Sequence, residues 1–198
     1  MKKKLITWSN AITVVSVLLI IVLFVSPQAK ATMIEGLMKA GLFKPPVENT
    51  EPAKTVNSGA NAAPRFLLKD PAGNVIDIKD QQGKVLFINF WATWCPPCIA
   101  EMPSINEMYA RYKNNPKVMI LEVDVDSNFG KSVPFMKKHK YKMPVYVLAS
   151  NLPNGFLSNA IPATVIIDKT GTIVARHEGG ADYAEKGFYK YFDGLINK

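Results

Sequence analysis

Cysteine and histidine are the two residues that this sequence uses least for its length. Two of each occur among 198 residues. Two cysteines exclude a scaffold of several disulfides and a four-cysteine zinc module. Hydrophobic residues make up 48% of the chain and charged residues 20%, which excludes a wholly disordered or collagen-like protein. The length predicts one ordinary domain.

Acidic residues are fewer than basic ones, and the basic excess is uneven. The formal net charge is +8, and a charge of this sign often accompanies binding to nucleic acid or to an anionic membrane. Residues 1–44 hold six lysines against the single acid Glu35, which is +5 of that total. Because the rest of the chain is only weakly basic, we expect no nucleic acid among its partners.

The N-terminal segment has the composition of a membrane anchor. No charged residue occurs between Lys4 and Lys30, and the 21 residues 5–25 are mostly apolar. About 20 such residues span a bilayer as a helix, and the lysines that precede them favour the cytoplasmic side. We therefore expect residues 1–30 to anchor the chain in the lipid bilayer as a single-pass cell-membrane protein, with the C-terminal domain on the periplasmic or extracytoplasmic side. A cleavable signal peptide is the alternative.

Residues 31–64 are expected to join this anchor to the domain. Apolar residues recur at helical spacing over 33–43. Such a helix either lies along the membrane surface or packs on the soluble domain, and the sequence leaves both alternatives open. Residues 44–65 are rich in Pro, Asn, Ala and Thr and have no hydrophobic period, which predicts a flexible tether.

Residues 65–198 alternate between predicted strands and helices. The run 85–90 is continuously apolar, as in a strand buried on both faces. Ser132 is expected to cap its helix with Pro134 in the first turn, and Asp182 with Glu185 has the capping-box pattern. The pattern predicts an α/β domain with a mixed central sheet flanked by helices. Its strands are predicted at 65–69, 75–78, 85–90, 118–125, 144–149, 164–168 and 172–177, the last two as a hairpin, and its helices at 95–113, at 132–140 and from 182.

The two cysteines lie in the motif Trp94-Cys95-Pro96-Pro97-Cys98, between a buried strand and a helix start. Backbone N–H groups and the helix dipole stabilise a thiolate there, so Cys95 is the predicted nucleophile. Helical geometry places Cys98 within the apolar stripe, where it resolves a mixed disulfide. Because the prolines remove two N–H donors, we expect a weakly stabilised thiolate and hence a reductant.

Other functions for the cysteine pair are weaker. A structural disulfide is unexpected at a two-residue spacing. A metal site would need His139 or His177, and neither has ligand spacing to the cysteines; we expect no metal and no cofactor. A non-catalytic binding module or redox sensor at the membrane surface is the alternative from another class. A peroxidase does not normally place its reactive cysteine in a two-residue redox pair.

Two segments carry a family resemblance. KVLFINFWATWCPPCIAEMP (residues 84–103) and IPAT with IIDKTG (residues 161–164 and 166–171) resemble the TlpA/ResA-type membrane-anchored thioredoxin-like proteins. The resemblance implies a thioredoxin-like fold over residues 65–198 and a thiol–disulfide oxidoreductase that reduces disulfides of exported proteins, apocytochrome c in some members. It also implies a membrane electron donor such as a transmembrane thiol reductase.

The resemblance also assigns roles to individual residues. Pro162 would be a cis-proline that faces Cys95 and Cys98, and Ile161 beside it would offer its backbone to an incoming peptide. Glu101 matches a family carboxylate three residues after the second cysteine. It lies about 60° round the helix from Cys98, where it would influence thiol protonation, and a solvated surface position is the alternative.

Three further residues complete the expected site. Trp94 and Pro96, like the cis-proline loop, are expected to bind substrate; Trp91 is expected to help cover the site, with a core position as the alternative.

Cytosolic thioredoxin has a buried Asp six residues before its first cysteine, where this chain has Asn89. Because an amide does not exchange a proton, Glu101 or water must accept the proton of the second cysteine.

Overall fold

The computed structural model describes residues 8–42, 65–154, 156–157 and 160–198. The tether predicted over residues 44–65 lies outside the described residues except for Arg65, and so does the lysine-rich start.

The domain is built on a seven-stranded mixed sheet. Its strand order is β2-β1-β5-β4-β3-β6-β7, in which β3, β4 and β5 are parallel and the outer strands pair antiparallel. The mixed sheet and the closing β6–β7 hairpin confirm the sequence-based prediction. The strands are β1 Leu67–Lys69, β2 Val75–Asp77, β3 Val85–Trp91, β4 Val118–Asp124, β5 Val145–Leu148, β6 Ala163–Ile167 and β7 Ile173–Glu178.

Five α-helices accompany the sheet among the described residues: α1 Trp8–Val25, α2 Pro27–Lys39, α3 Pro96–Tyr112, α4 Phe129–Lys138 and α5 Lys186–Asn197. Two predicted helix starts are wrong. Helix α4 begins at Phe129, and Ser132 is buried within it, donating its hydroxyl to Asn128 O. Helix α5 begins at Lys186 because Asp182 instead accepts the Ala184 N–H in a local turn.

Strand β3 is buried along its whole length, as its continuous apolar run predicts. Its residues alternate between two hydrophobic clusters. Phe87 and Trp91 face the cluster that contains α3 and α5, whereas Ile88 and Phe90 face the opposite side of the sheet. The carboxyl end of this central strand leads directly into the cysteine motif, so the packed core fixes the position of the motif.

Helix α2 packs on the domain, which is one of the two alternatives that the sequence left open. Its buried residues are Ala31 and Met38, and it lies against α3. Its Met38 is next to the loop after β7: a methyl group added at Gly180 would meet Met38 Cε and would lie 3.2 Å from Pro97 O. The helix therefore contacts the domain beside the cysteine motif.

The described part of α1 exposes its apolar side chains, for example Leu18 and Leu19. By length and hydropathy, none of the described helices qualifies alone as a membrane span, whereas the bent pair Ala11–Val22 and Pro27–Lys39, with 89° between its members, does. The single spanning helix predicted over residues 5–25 is therefore not confirmed.

Candidate active site

The cysteines form a disulfide at the N-terminus of α3. Cys95 is the N-cap residue, and its Sγ accepts the Cys98 N–H at 3.3 Å. Pro96 and Pro97 occupy the first helical positions, where the missing N–H groups have no partner within the helix. The sequence folds this way locally because β3 ends at Trp91 and a short turn leads into a helix whose first residue has a suitable fixed φ.

The two sulfur-bearing residues differ little in exposure in this oxidised form. Cys98 is completely buried and Cys95 is 3% exposed. Cys95 is therefore the more accessible of the two cysteines, as helical geometry predicts. Its exposed fraction is nevertheless smaller than that of a freely exposed nucleophile. Pro96, which is expected to bind substrate, is half-buried beside Cys95.

The loop before β6 lies against the disulfide. The Ile161–Pro162 peptide bond is cis, as the resemblance implies. Ile161 O lies 3.8 Å from Cys95 Sγ, so this backbone is beside the reactive sulfur. Pro162 itself is buried, and its carbonyl accepts the Gly179 N–H at 2.9 Å. Ile161 and Pro162 thus adjoin the cysteines from a segment more than sixty residues away in sequence.

The two tryptophans of the motif have different environments. Trp94 is 56% exposed, and its indole N–H donates to Asp126 Oδ2 at 2.7 Å. Trp91 is completely buried and packs against Phe135 at a tilt of 47°, with ring centroids 5.4 Å apart. The expectation that Trp91 covers the site is therefore wrong, because β3 directs it into the core; Trp94 alone presents an apolar face beside the disulfide.

Glu101 is a buried acid, not a solvated surface residue. It is completely buried on α3, one turn after Cys98. Its carboxyl group accepts hydrogen bonds from Asn89 Nδ2 at 2.7 Å and from the Ala181 N–H at 3.2 Å. Burial raises the pKa of Glu101 to about 8, and the two hydrogen bonds oppose this rise by favouring the carboxylate. The group is thus poised to exchange a proton near neutral pH.

A buried polar network, which the sequence-based analysis missed, extends from Glu101. Asn89 also donates to Thr164 Oγ1 at 3.0 Å, and that hydroxyl accepts the Tyr183 hydroxyl proton at 2.8 Å. Glu122 on β4 is completely buried on the same side. A signal for Glu122 was available, since it is an acid that interrupts the apolar run of β4. Tyr183 gave no such signal, because it follows β7 in a loop.

The histidines lie apart from the cysteines. His139 follows α4 and stacks on Tyr141, with 5.6 Å between ring centroids, and His177 is on β7. Within the described ranges, no group of three His, Cys, Asp or Glu side chains is arranged to hold a metal ion.

This geometry can exchange a disulfide with a partner. Cys95 Sγ sits at a helix N-terminus, a peptide backbone flanks it, and an acid with a pKa near 8 lies one turn beyond Cys98. A dithiol in this place can attack a disulfide through Cys95 and close its own through Cys98, and Glu101 is placed to take up the second thiol proton. Fold and site thus define a thioredoxin-like thiol–disulfide oxidoreductase.

Comparisons with known proteins agree with this class. The family model described as AhpC/TSA matches residues 60–176, and the chain belongs to that family. A thiol-disulfide oxidoreductase ResA from Bacillus cereus is 36% identical over 115 residues, which are 58% of this chain and 66% of that relative. ResA from Geobacillus thermodenitrificans is 33% identical over 143 residues, 72% of this chain and 82% of that relative.

A solved structure shares the fold. A Chlorobium tepidum chain described as a thiol:disulfide interchange protein DsbE superposes with a TM-score of 0.57 at 25% identity, covering 69% of this chain and 96% of that one. Together with the ResA relatives, this structure confirms the family resemblance inferred from the sequence and the class of thiol–disulfide oxidoreductase.

Proposed function

We propose that this protein is a membrane-tethered reductant for disulfides of exported proteins. The observation that carries the proposal is the buried Glu101 one helical turn from Cys98. In the reduced protein the Cys95 thiolate attacks one substrate sulfur, and the other leaves as a thiol after protonation. Cys98 then gives its proton to the Glu101 carboxylate, and the resulting thiolate attacks Cys95 Sγ in the mixed disulfide. The substrate's second sulfur is displaced and becomes a thiol after protonation. The product in this protein is the Cys95–Cys98 disulfide that the structure contains.

Two features support reduction as the direction of electron flow. Pro96 and Pro97 leave the Cys98 N–H as the hydrogen-bond donor to Cys95 Sγ. In the fraction of molecules in which Glu101 is ionised, its carboxylate also opposes a second negative charge nearby. Both keep the thiolate weakly stabilised, and a dithiol that is weakly stabilised favours its disulfide, which is the property of a reductant.

The proposed location rests on the N-terminal sequence. We propose that residues 1–30 are the anchor, that residues 31–64 connect it, and that residues 65–198 act on the extracytoplasmic side. The lysines at 2–4 and the uncharged stretch that follows support this orientation. A transmembrane thiol reductase would return electrons to the oxidised pair. Protease protection of a C-terminal tag in intact cells, with accessibility gained only after lysis, would contradict this orientation.

The substrate-facing surface supports a peptide as substrate. Trp94 offers an exposed ring and Ile161 a backbone carbonyl on either side of Cys95. Cys98→Ser is expected to accumulate mixed disulfides with exported proteins, because the resolving thiol is missing. Cys95→Ser is the matched control and is expected to trap none. Insulin reduction that survives in Cys95→Ser would overturn the assignment of Cys95 as nucleophile.

Apocytochrome c is the finer proposal for the substrate. Its haem-attachment cysteines must be reduced before haem is joined to them, and family members of the resembled type serve this step. Deletion of the chain is expected to lower holocytochrome c, and an added small thiol is expected to restore it. Unchanged holocytochrome c in the deletion strain would limit the proposal to general disulfide reduction.

A further inference from the structure

Polar side chains form a row across the buried sheet beneath α3. In the register of the strands, Asn89 of β3 is opposite Glu122 of β4 on one side and opposite Thr164 of β6 on the other. Residues paired in this way lie on the same face, with neighbouring strands about 4.8 Å apart. All three side chains are buried. The row therefore places Glu122 beside the amide that contacts Glu101.

The side-chain amide of Asn89 forms hydrogen bonds through its nitrogen and none through its oxygen among the described residues. Both amide hydrogens are used, one towards Glu101 Oε1 and one towards Thr164 Oγ1. In a planar amide the oxygen points away from the nitrogen, so Asn89 Oδ1 turns towards β4. Among the described residues, neither this oxygen nor either carboxyl oxygen of Glu122 has a hydrogen-bond partner.

A proton on Glu122 would pair two of these three oxygens, Asn89 Oδ1 and the protonated carboxyl oxygen. A carboxylate and an amide oxygen are both acceptors and cannot pair, whereas a neutral carboxyl group has one O–H to donate. An ionised Glu122 would be an uncompensated buried charge, which is far more costly than a neutral acid. Burial raises the pKa of Glu122 well above its ordinary value, and the charge of Glu101 raises it further.

We propose that Glu122 is a positioning residue of the redox centre: it keeps its proton, donates it to Asn89 Oδ1, and so holds the Asn89 N–H₂ group towards Glu101. An ionised Glu122 would instead attract the N–H₂ group and turn the amide away from Glu101. The inference goes beyond the proposed function, because it holds whichever way electrons flow and wherever the domain resides.

The titratable groups that face this cluster from other parts of the fold come from two elements and one loop. Glu101 and Cys98 belong to α3 and Tyr183 to the loop before α5, while His177 of β7 is opposite Thr164 in the strand register. In the oxidised protein Cys98 does not titrate. Burial lowers the pKa of His177 and raises that of Tyr183, so neither changes charge in the range where Glu101 does.

The test follows the protonation of Glu101 in the oxidised full chain, in detergent, by carbon NMR with isotope-labelled glutamate. Glu101→Gln assigns the signal of Glu101. Glu122→Gln retains an N–H donor for Asn89 Oδ1, and Glu122→Met removes the donor at similar volume. The matched control is Glu178→Gln, which changes an exposed glutamate on β7.

In Glu122→Gln we expect the proton affinity of Glu101, read from its titration midpoint, to stay within a factor of two of the wild-type value. In Glu122→Met we expect it to rise by about one pH unit, since one hydrogen bond to the carboxylate is lost. The wild-type Glu122 signal should be that of a protonated carboxyl group throughout the titration.

An ionised Glu122 at neutral pH, or equal midpoints in the Gln and Met variants, would overturn the proposal. If Glu122→Met does not fold, the wild-type Glu122 signal still decides it. The oxidised protein needs no turnover, so a negative result leaves the proposed reductase function untouched.

Discussion

Replacement of Glu101 by Gln should remove a large pH dependence of stability. The pKa of Glu101 is raised from 4.5 to about 8 by burial, so between these values the folded protein holds a proton that the unfolded chain has released. Stability therefore falls as pH rises through this window, by up to about 1.4 kcal/mol per pH unit. Over the whole window the loss amounts to about 5 kcal/mol. Below pH 4.5 and above 8 this contribution is constant.

The assay is denaturant unfolding of the oxidised full chain at several pH values from about 5 to 8, followed by tryptophan fluorescence. The difference in unfolding free energy between wild type and Glu101→Gln isolates Glu101, because the other titrating groups contribute similarly to both. Glu107→Gln, an exposed glutamate on the same helix, is the control and should leave the wild-type slope unchanged. Parallel pH dependences of wild type and Glu101→Gln would refute the reasoning.

Other predictions follow from single contacts. Gly180→Ala should destabilise by about 1 kcal/mol by overpacking, because its new methyl group would lie 3.2 Å from the backbone atom Pro97 O and would displace the flexible end of Met38. Gly194→Ala meets nothing within 4 Å in α5 and should stabilise by about 0.5 to 1 kcal/mol; thermal unfolding of both variants checks the pair, and equal shifts would contradict the contact. Trp94→Ala should raise KM for insulin reduction and leave the reduction potential unchanged; a changed potential with an unchanged KM would contradict its role as a docking surface.

The fold was predictable where local patterns agree with tertiary packing. The apolar run of β3 and the turn of the β6–β7 hairpin indicated their structures directly. The caps failed for a physical reason: Ser132 and Asp182 are good capping residues, but each satisfies a different backbone group once the chain is packed. Local preference is worth about 1 kcal/mol, which tertiary contacts readily exceed.

The cysteine pair was predictable from its spacing along α3, and Glu101 was predictable only through the family resemblance. The structure adds that Glu101 is completely buried. The partners of Glu101 come from distant segments, such as the Ala181 N–H, and no local pattern reveals them. An acid within the apolar run of β4 was a signal that Glu122 is unusual, but only the register of β3 and β4 places it beside Asn89.

The reduction potential of the Cys95–Cys98 pair tests the central claim most directly. The full chain would be equilibrated with glutathione redox buffers, and the fraction of disulfide read by thiol trapping. A weakly stabilised thiolate predicts a value near or below about −230 mV, towards the thioredoxin end of the known range. A value near about −120 mV, at the strongly oxidising end, would contradict the account and mean that the protein makes disulfides in its partners.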